Sequence, residues 1–215
     1  GVTTEVVGAD GGSLGPWSEE EFRGTRDRLE ERSGVRIDFR DPGGYLSFLD
    51  RNPAAVNMAT MVGAGQLRHF VIGDDDRPAT DEELARMVEA AREAVRGGAC
   101  GLSSGLEYIP GGFASLEELA ALAGVLRGTG LPYASHMRNE DDQLIAAVEE
   151  AVNVGRFGDV PVEISHLKQQ GRRNWWKAAP VLELLEAARA DGVDVAFDVY
   201  PYLSLIHISE PTRPY

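Results

Sequence analysis

Residues 132–168 read PYASHMRNEDDQLIAAVEEAVNVGRFGDVPVEISHLK, and the pattern within them decides the fold class. A β-rich segment at Pro132–Ser135 is separated from another at Val160–Ser165 by an amphipathic stretch. Apolar residues of that stretch recur at the spacing of one helix face, at Leu144, Val148 and Val152. We therefore predict a strand–helix–strand unit, in which two parallel strands are joined by a crossover helix.

The same unit recurs along the rest of the chain. The other β-rich segments are Val2–Val7, Val56–Val62, Cys100–Leu102 and Val193–Tyr200. Two capping boxes, Thr80 with Glu83 and Ser115 with Glu118, predict helix starts between them. Glycines predict the helix ends, at Gly97, Gly128, Gly155 and Gly192. The repeat indicates an α/β fold with parallel strands.

The positions of the polar residues favour one parallel fold over another. A doubly wound nucleotide-binding fold needs a glycine-rich loop between a strand and a helix, and Gly105–Gly112 lacks that context. Polar side chains instead follow several different strands, at Asp10, Tyr108, His136, His166, Lys168 and Tyr200. This distribution is typical of a (β/α)8 TIM-type barrel. We predict an incomplete barrel with about six of eight strands, and a surface insertion with one or two helices near residues 17–52.

Composition excludes several classes of partner. The 215 residues include 35 acidic and 21 basic side chains, for a net charge of −14. This charge repels phosphate backbones and anionic membrane surfaces, so we expect neither nucleic acid nor a membrane as a partner. No run reaches the ~18–20 apolar residues of a spanning helix. The single cysteine, Cys100, forms no internal disulfide and suits a reducing compartment, so we expect a cytoplasmic protein.

Both ends of the sequence carry an expectation about its origin. The chain starts at Gly1 with neither an initiator methionine nor a signal-peptide pattern, so we expect the natural protein to begin upstream. Residues 203–215 have no helical or alternating pattern and resemble the translation of a transposase-type sequencing adapter. We therefore predict a domain over residues 1–202 and a non-native tail after it, and assign no ligand role to His207. An ordinary polar tail is the alternative.

Three strand-end residues are candidate metal ligands. His136 and His166 each follow a small residue at the end of neighbouring predicted strands. Imidazoles projected from adjacent strand ends can converge on one Zn²⁺ and leave a position open for water. Asp10 can add a carboxylate to the same site, although Asp-Gly-Gly is also a common turn. Hydrogen-bonded structural roles are the alternative for both histidines.

Three further residues are candidates for contact with a substrate. Lys168 lies two residues after His166, hence on the same side of an extended chain, where it can hold an anion or polarise a carbonyl. Tyr108 and Tyr200 can donate hydrogen bonds to a carbonyl or carboxylate. A solvated lysine and tyrosines packed at the rim of the barrel are the structural alternatives.

Six motifs span nearly all of residues 1–202. They are Gly1–Gly8, Val62-Gly63 with Leu67-Arg68, Gly101–Tyr108, Ser135–Glu140, Ile164–Lys168 and Asp198–Tyr202. In this order they resemble the N-acyl-D-amino-acid deacylase (D-aminoacylase) family of the metal-dependent amidohydrolase superfamily. The resemblance implies a barrel of which strands two to seven are present. The family's first-strand His-x-His pair and eighth-strand aspartate are then expected outside the sequence.

The resemblance also implies roles for individual residues. His136 and His166 match metal-binding histidines, Lys168 matches a lysine that follows the second of them, and Tyr108 and Tyr200 match substrate-contacting tyrosines. Asp10 stands where well-studied members carry a metal-bridging cysteine, so the number of zinc ions, one or two, stays open. A carboxylate is also a harder ligand than a thiolate, which weakens the preference for zinc.

The implied activity is metal-dependent hydrolysis of an N-acyl-D-amino acid to a carboxylate and a D-amino acid, with a small-molecule substrate. Another amidohydrolase activity, such as cyclic-amide hydrolysis, and a non-catalytic barrel that binds a small molecule are the alternatives. We expect the 215 residues expressed alone to be insoluble or inactive, because a barrel without its first and last strands has two open edges.

Overall fold

The structure is a computed structural model that describes residues 1–200. The adapter-like tail at 203–215, with His207, lies outside the described residues. The described strands are β1 (Thr4–Val7), β2 (Asn57–Thr60), β3 (Val62–Gly63), β4 (Leu102–Gly105), β5 (Tyr133–His136), β6 (Val162–Ile164) and β7 (Val195–Phe197). The α-helices are α1 (Glu19–Ser33), α2 (Pro42–Arg51), α3 (Ala64–Val71), α4 (Asp81–Arg96), α5 (Leu116–Ala123), α6 (Leu144–Gly158) and α7 (Ala178–Ala190).

All the described strand pairs are parallel and join strands that are consecutive in the sequence, although β2 and β3 do not pair with each other. β1 pairs with β2, and β3 to β7 form a five-stranded sheet in the order β3-β4-β5-β6-β7. The predicted segment Val56–Val62 is therefore two strands, separated only by Met61, whose amide donates to Val7 O in β1. The next amide, of Val62, turns to the other side and donates to Gly101 O. The parallel α/β fold predicted from the sequence is confirmed.

The main apolar core lies between the sheet and the helices that cover it. Leu67, Met87, Leu122, Val148 and Leu185, from five different helices, are all buried in this cluster. Residues 17–52 contain α1 and α2 and have a separate small cluster of buried side chains, Trp17, Ile37, Phe39 and Tyr45. Among the described helices, none has the length and apolar character needed to cross a membrane.

Strand β4 begins later than the predicted segment Cys100–Leu102 and is made of small polar residues. Its two serines are fully buried: the Ser103 hydroxyl donates to Gly8 O in the loop after β1, and the Ser104 hydroxyl is paired within the sheet. Ser104 Oγ lies 2.6 Å from the Tyr133 hydroxyl and donates to Ser135 Oγ at 3.1 Å. Serine is not among the residues enriched in strands, so the sequence does not reveal this part of the strand. The serine side chains are stable in the sheet because of these hydrogen bonds.

One predicted helix end is wrong. Gly155 lies inside α6, which continues to Gly158 and closes at Asp159 in the left-handed conformation, with φ of 57°. Gly155 is required for packing instead: a Cβ there would come within 2.1 Å of Val162 Cγ2 on β6. A glycine signals a helix end only where the chain must turn, whereas here it allows the helix to approach the sheet closely.

One predicted capping box is only half formed. At the start of α4, Thr80 and Glu83 exchange both hydrogen bonds as predicted. At the start of α5, Ser115 accepts from the Glu118 amide, but the Glu118 carboxylate turns inward to the buried Arg68 at 2.6 Å. Burial raises the pKa of Glu118 even though Arg68 opposes the rise, so this ion pair is a desolvated one.

Replacing Glu118 with alanine leaves the Arg68 guanidinium buried without its carboxylate. We expect Glu118→Ala, made in the full gene product, to lower the free energy of unfolding by about 3–5 kcal/mol, measured by urea denaturation. Glu117→Ala, at the exposed neighbouring position, is the matched control and should change it by less than about 0.5 kcal/mol. Equal effects of the two substitutions would show that the buried pair does not stabilise the fold.

Candidate metal centre

The polar residues predicted from the strand ends lie together at the carboxyl ends of the strands. Asp10 follows β1, Tyr108 follows β4, His136 is the last residue of β5, and His166 lies two residues beyond β6. His136 is buried and His166 largely so. The arrangement arises because parallel strands in register end at one edge and deliver their following residues to the same place.

Two imidazoles and one carboxylate face one another in this cluster. His136 Nδ1 lies 2.9 Å from His166 Nε2, and that nitrogen lies 3.9 Å from Asp10 Oδ1. One ligand atom from each of the three residues falls within 4.8 Å of the other two. The structure thus brings together the three residues that the sequence proposed as metal ligands.

These donors suit a divalent transition metal. Zinc binds imidazole nitrogen and carboxylate oxygen at about 2.0–2.2 Å, in a tetrahedron whose fourth position is open in catalytic sites. Two nitrogens on one tetrahedral zinc lie about 3.3 Å apart, so the histidine pair needs to open only slightly from its 2.9 Å separation. The residues present therefore fit a zinc ion.

The backbone that carries Asp10 and His166 is held in unusual conformations. Gly11, beside Asp10, has φ of 77° and packs so closely on β4 that a Cβ would lie 2.4 Å from Gly105 N. Its amide donates to Ser103 Oγ at 3.1 Å. His166 is one of two described non-glycine residues with positive φ, at 43°, and its amide donates to the Asp198 carboxylate. Such strained positions concentrate at functional sites.

Two carboxylates that the sequence reasoning missed lie behind the histidines. Glu107 Oε2 is 3.4 Å from His136 Nε2, and Glu140 Oε1 is 3.0 Å from His166 Nδ1. Burial of Glu140 opposes ionisation, but His166 and Lys168 outweigh it, so the pKa of Glu140 is lowered. Glu140 stands four residues after His136 in the Ser135–Glu140 motif, and that proximity was the only signal in the sequence.

The three predicted substrate contacts also lie at the cluster. The Tyr108 ring is 4.8 Å from the His136 ring, and the Tyr200 ring stacks on His166 at 5.4 Å. Lys168 Nζ lies 5.0 Å from the centre of the Tyr200 ring and 2.5 Å from Glu140 Oε2. Lys168 and His166 thus both contact Glu140, but the backbone at His166 is a turn with positive φ and not the extended chain that was predicted.

The surroundings keep both tyrosines neutral. Burial, followed by the negative charges of Asp10, Glu107 and Glu140, raises the pKa of Tyr108. Burial, followed by the charges of Glu140 and Asp10, raises the pKa of Tyr200. Both phenols therefore remain hydrogen-bond donors at and above neutral pH.

A cavity of about 380 Å³ opens beside Asp10 and Tyr108, lined also by Gly65, Gln66 and His69. His69 lies between Asp74 at 2.6 Å and Glu21 at 3.2 Å. A larger cavity, of about 620 Å³, lies elsewhere along α6 and contains none of the cluster residues.

Comparison with known proteins assigns the chain to a family. A D-aminoacylase from Alcaligenes xylosoxydans xylosoxydans is 43% identical over 205 residues, which are 95% of this chain and 42% of that protein. An N-acyl-D-glutamate deacylase from the same organism is 38% identical over 175 residues, 81% of this chain and 36% of that protein. The chain belongs to the D-aminoacylase family. No protein-family model matches it.

Solved structures of the D-aminoacylase family have the same fold as this chain. An N-acyl-D-glutamate deacylase from Bordetella bronchiseptica, complexed with zinc and a phosphonate mimic of the tetrahedral intermediate, gives a TM-score of 0.83 at 35% identity. A D-aminoacylase described as having a binuclear metal centre gives 0.82 at 40% identity. Each match covers 94% of this chain and 42% of the other. The chain therefore spans about two fifths of the length of its relatives.

The carboxylate of Asp10, one of the three candidate ligands, is a harder donor than a thiolate. We expect Asp10→Cys to raise zinc affinity at least roughly tenfold and to increase the preference for zinc over Mn²⁺, because thiolates bind soft metals more tightly. Competition with a chromogenic chelator measures both, in the full product of the gene that contains this chain.

Two further variants control that measurement. Asp10→Asn removes the charge and should weaken zinc binding, while Asp191→Cys adds a thiol at an exposed position after α7 and should not change it. If Asp10→Cys and Asp10→Asn both bind zinc as the unaltered protein does, Asp10 is not a ligand.

Proposed function

We propose that this chain is part of a metal-dependent hydrolase that cleaves the amide bond of N-acyl-D-amino acids, releasing a carboxylate and a D-amino acid. The observation that carries this proposal is the convergence of Asp10, His136 and His166 within 4.8 Å of one another. It occurs in a chain that is 43% identical to a D-aminoacylase. A zinc complex of the related N-acyl-D-glutamate deacylase supports the choice of zinc, as one or two ions.

We propose that the fold is an incomplete (β/α)8 barrel containing strands two to seven. The consecutive parallel order of the strands supports this, because doubly wound sheets reverse their strand order near the middle. The placement of polar residues after β1, β4, β5, β6 and β7 supports it too, since barrels build their sites from the ends of many strands.

In this proposal Asp10, His136 and His166 hold the zinc. When bound, the ion polarises the substrate carbonyl and lowers the pKa of water, which makes a nucleophile available near neutral pH. The protein's own contribution is to keep the three donors close together and the imidazoles largely out of bulk solvent, so that charge developing on the substrate interacts with fixed groups rather than with water.

Tyr108 and Tyr200 donate hydrogen bonds in this scheme. Tyr108 lies against His136, so its hydroxyl can stabilise an oxyanion that forms beside the metal position. Tyr200 lies against His166 and Lys168 and is placed to orient the substrate carboxylate. Their raised pKa values support these roles, because an ionised phenol cannot donate.

Lys168 attracts the substrate carboxylate, whereas the acidic side chains of the cluster repel it. Asp10, Glu107 and Glu140 are acidic, whereas Lys168 is the single basic side chain among the cluster's described residues. Without a bound cation the cluster therefore repels an anionic substrate. The metal thus serves substrate binding as well as catalysis.

The direct test is hydrolysis by the full gene product. We expect it to cleave N-acetyl-D-amino acids at least roughly a hundredfold faster than the L-enantiomers, measured by release of free amine. A chelator should abolish the activity and zinc should restore it. His136→Ala and His166→Ala should each lower kcat by at least about a hundredfold, whereas Asp191→Asn, at an exposed position after α7, should not change it.

Two outcomes would contradict this function. Faster cleavage of a cyclic amide than of any N-acyl-D-amino acid would favour a different amidohydrolase reaction. Zinc binding without hydrolysis of either substrate class would favour a non-catalytic protein that binds a small molecule.

A further inference from the structure

Glu140 joins the loops that follow β5 and β6. Its side chain is only 4% exposed, and its backbone carbonyl accepts from the Gln170 amide at 2.8 Å. The two loops carry Glu140 itself and the pair His166 and Lys168. The carboxylate is therefore fixed from both its own loop and the neighbouring one, without serving as one of the three grouped metal ligands.

The two oxygens of Glu140 face different partners. Oε2 lies 2.5 Å from Lys168 Nζ, and Oε1 lies 3.0 Å from His166 Nδ1. Oε1 is buried and has no hydrogen-bond partner within the described chain, because its 3.0 Å approach to His166 Nδ1 does not have hydrogen-bond geometry. The opposite ring nitrogen, His166 Nε2, faces His136 and Asp10. One edge of the His166 ring thus meets Glu140, and the opposite edge meets the candidate metal position.

Lys168 competes with Glu140 for the same ring nitrogen. Its Nζ lies 3.2 Å from His166 Nδ1. An ammonium only donates hydrogen bonds, so it favours the tautomer with a lone pair on Nδ1 and the proton on Nε2. A carboxylate only accepts, so it favours the proton on Nδ1 and the lone pair on Nε2. Only the second tautomer presents a lone pair to the metal.

We propose that Glu140 is a positioning residue that selects the metal-binding tautomer of His166, by offering its unpaired Oε1 to the Nδ1 proton and by holding the Lys168 ammonium closer to its own Oε2 (2.5 Å) than to the ring nitrogen (3.2 Å). This inference rests on the proposed metal-dependent function. Lys168 then has two opposing effects: its positive charge attracts the substrate, but without Glu140 the same charge would stabilise the His166 tautomer that cannot bind the metal. Carboxylates behind metal-binding histidines commonly fix the ring in this way.

Glu107 lies behind His136 in a longer and more exposed contact, which has hydrogen-bond geometry. Its Oε2 is 3.4 Å from His136 Nε2 and its side chain is 35% exposed, against 3.0 Å and 4% for Glu140. In the described structure no lysine lies between Glu107 and its histidine. We therefore expect a smaller loss of zinc affinity from Glu107→Gln than from Glu140→Gln.

The test measures zinc affinity in the full gene product by competition with a chromogenic chelator. We expect Glu140→Gln to weaken binding roughly 10–100-fold and Lys168→Met to change it less than about threefold. The double variant Glu140→Gln/Lys168→Met should recover most of the lost affinity, because the competing donor is gone. Glu150→Gln, which loses an ion pair with Arg138 outside the cluster, is the matched control and should bind normally.

A spectroscopic measurement reads the tautomer directly. In metal-free protein labelled with ¹⁵N-histidine, long-range ¹H–¹⁵N correlations distinguish a protonated Nδ1 from a protonated Nε2. We expect the His166 proton on Nδ1 in the unaltered protein, on Nε2 in Glu140→Gln, and back on Nδ1 in Glu140→Asp. Thermal unfolding of each variant separates loss of folding from loss of the tautomer.

Three results would overturn the inference while leaving the proposed function intact. They are unchanged zinc affinity in Glu140→Gln, an equal loss in Lys168→Met alone, and a double variant no better than Glu140→Gln. If the unaltered protein itself binds no zinc, the proposed function fails and the inference fails with it.

Discussion

Parallel pairing of β4, β5 and β6 is the constraint on which the site depends. The register aligns Gly105 with His136 and Ser135 with Ile164, so the strands end at nearly the same level. The residues that follow these strands are therefore brought close together. The buried serines of β4 help to keep this register, because Ser104 contacts both Tyr133 and Ser135 on β5. Substitutions in β4 should therefore disturb the metal centre although none of its residues is a proposed ligand.

Electrostatics determine what this convergence can do. Carboxylates behind the histidines make the cluster suitable for a cation, and the same carboxylates oppose an anionic substrate. Lys168 adds a positive charge that attracts an anionic substrate, and Glu140 holds this charge within the cluster. The net charge of −14 on the whole chain likewise attracts a cation and repels an anionic substrate. Under the proposed function, a bound metal is thus the condition under which a carboxylate-bearing substrate can approach.

Much of the fold and part of the site could be predicted from the sequence. The strand–helix period places β5, α6 and β6, and the rule that parallel strands end together brings His136 and His166 into one site. The remainder depends on which way a side chain turns after the chain has folded. Glu118 fulfils the capping pattern yet turns to Arg68, and Gly155 has the composition of a helix end yet packs on Val162. Glu140 was missed for the same reason, because nothing local distinguishes a buried loop carboxylate from a solvated one.

The most direct measurement is anomalous diffraction at the zinc edge from crystals of the full gene product grown with zinc. We expect a peak within about 2.2 Å of His136 Nδ1, His166 Nε2 and an Asp10 oxygen. We also expect Glu140 Oε1 within hydrogen-bond distance of His166 Nδ1. A peak bound by other residues, or no peak at a zinc concentration that supports hydrolysis, would contradict the proposed metal centre.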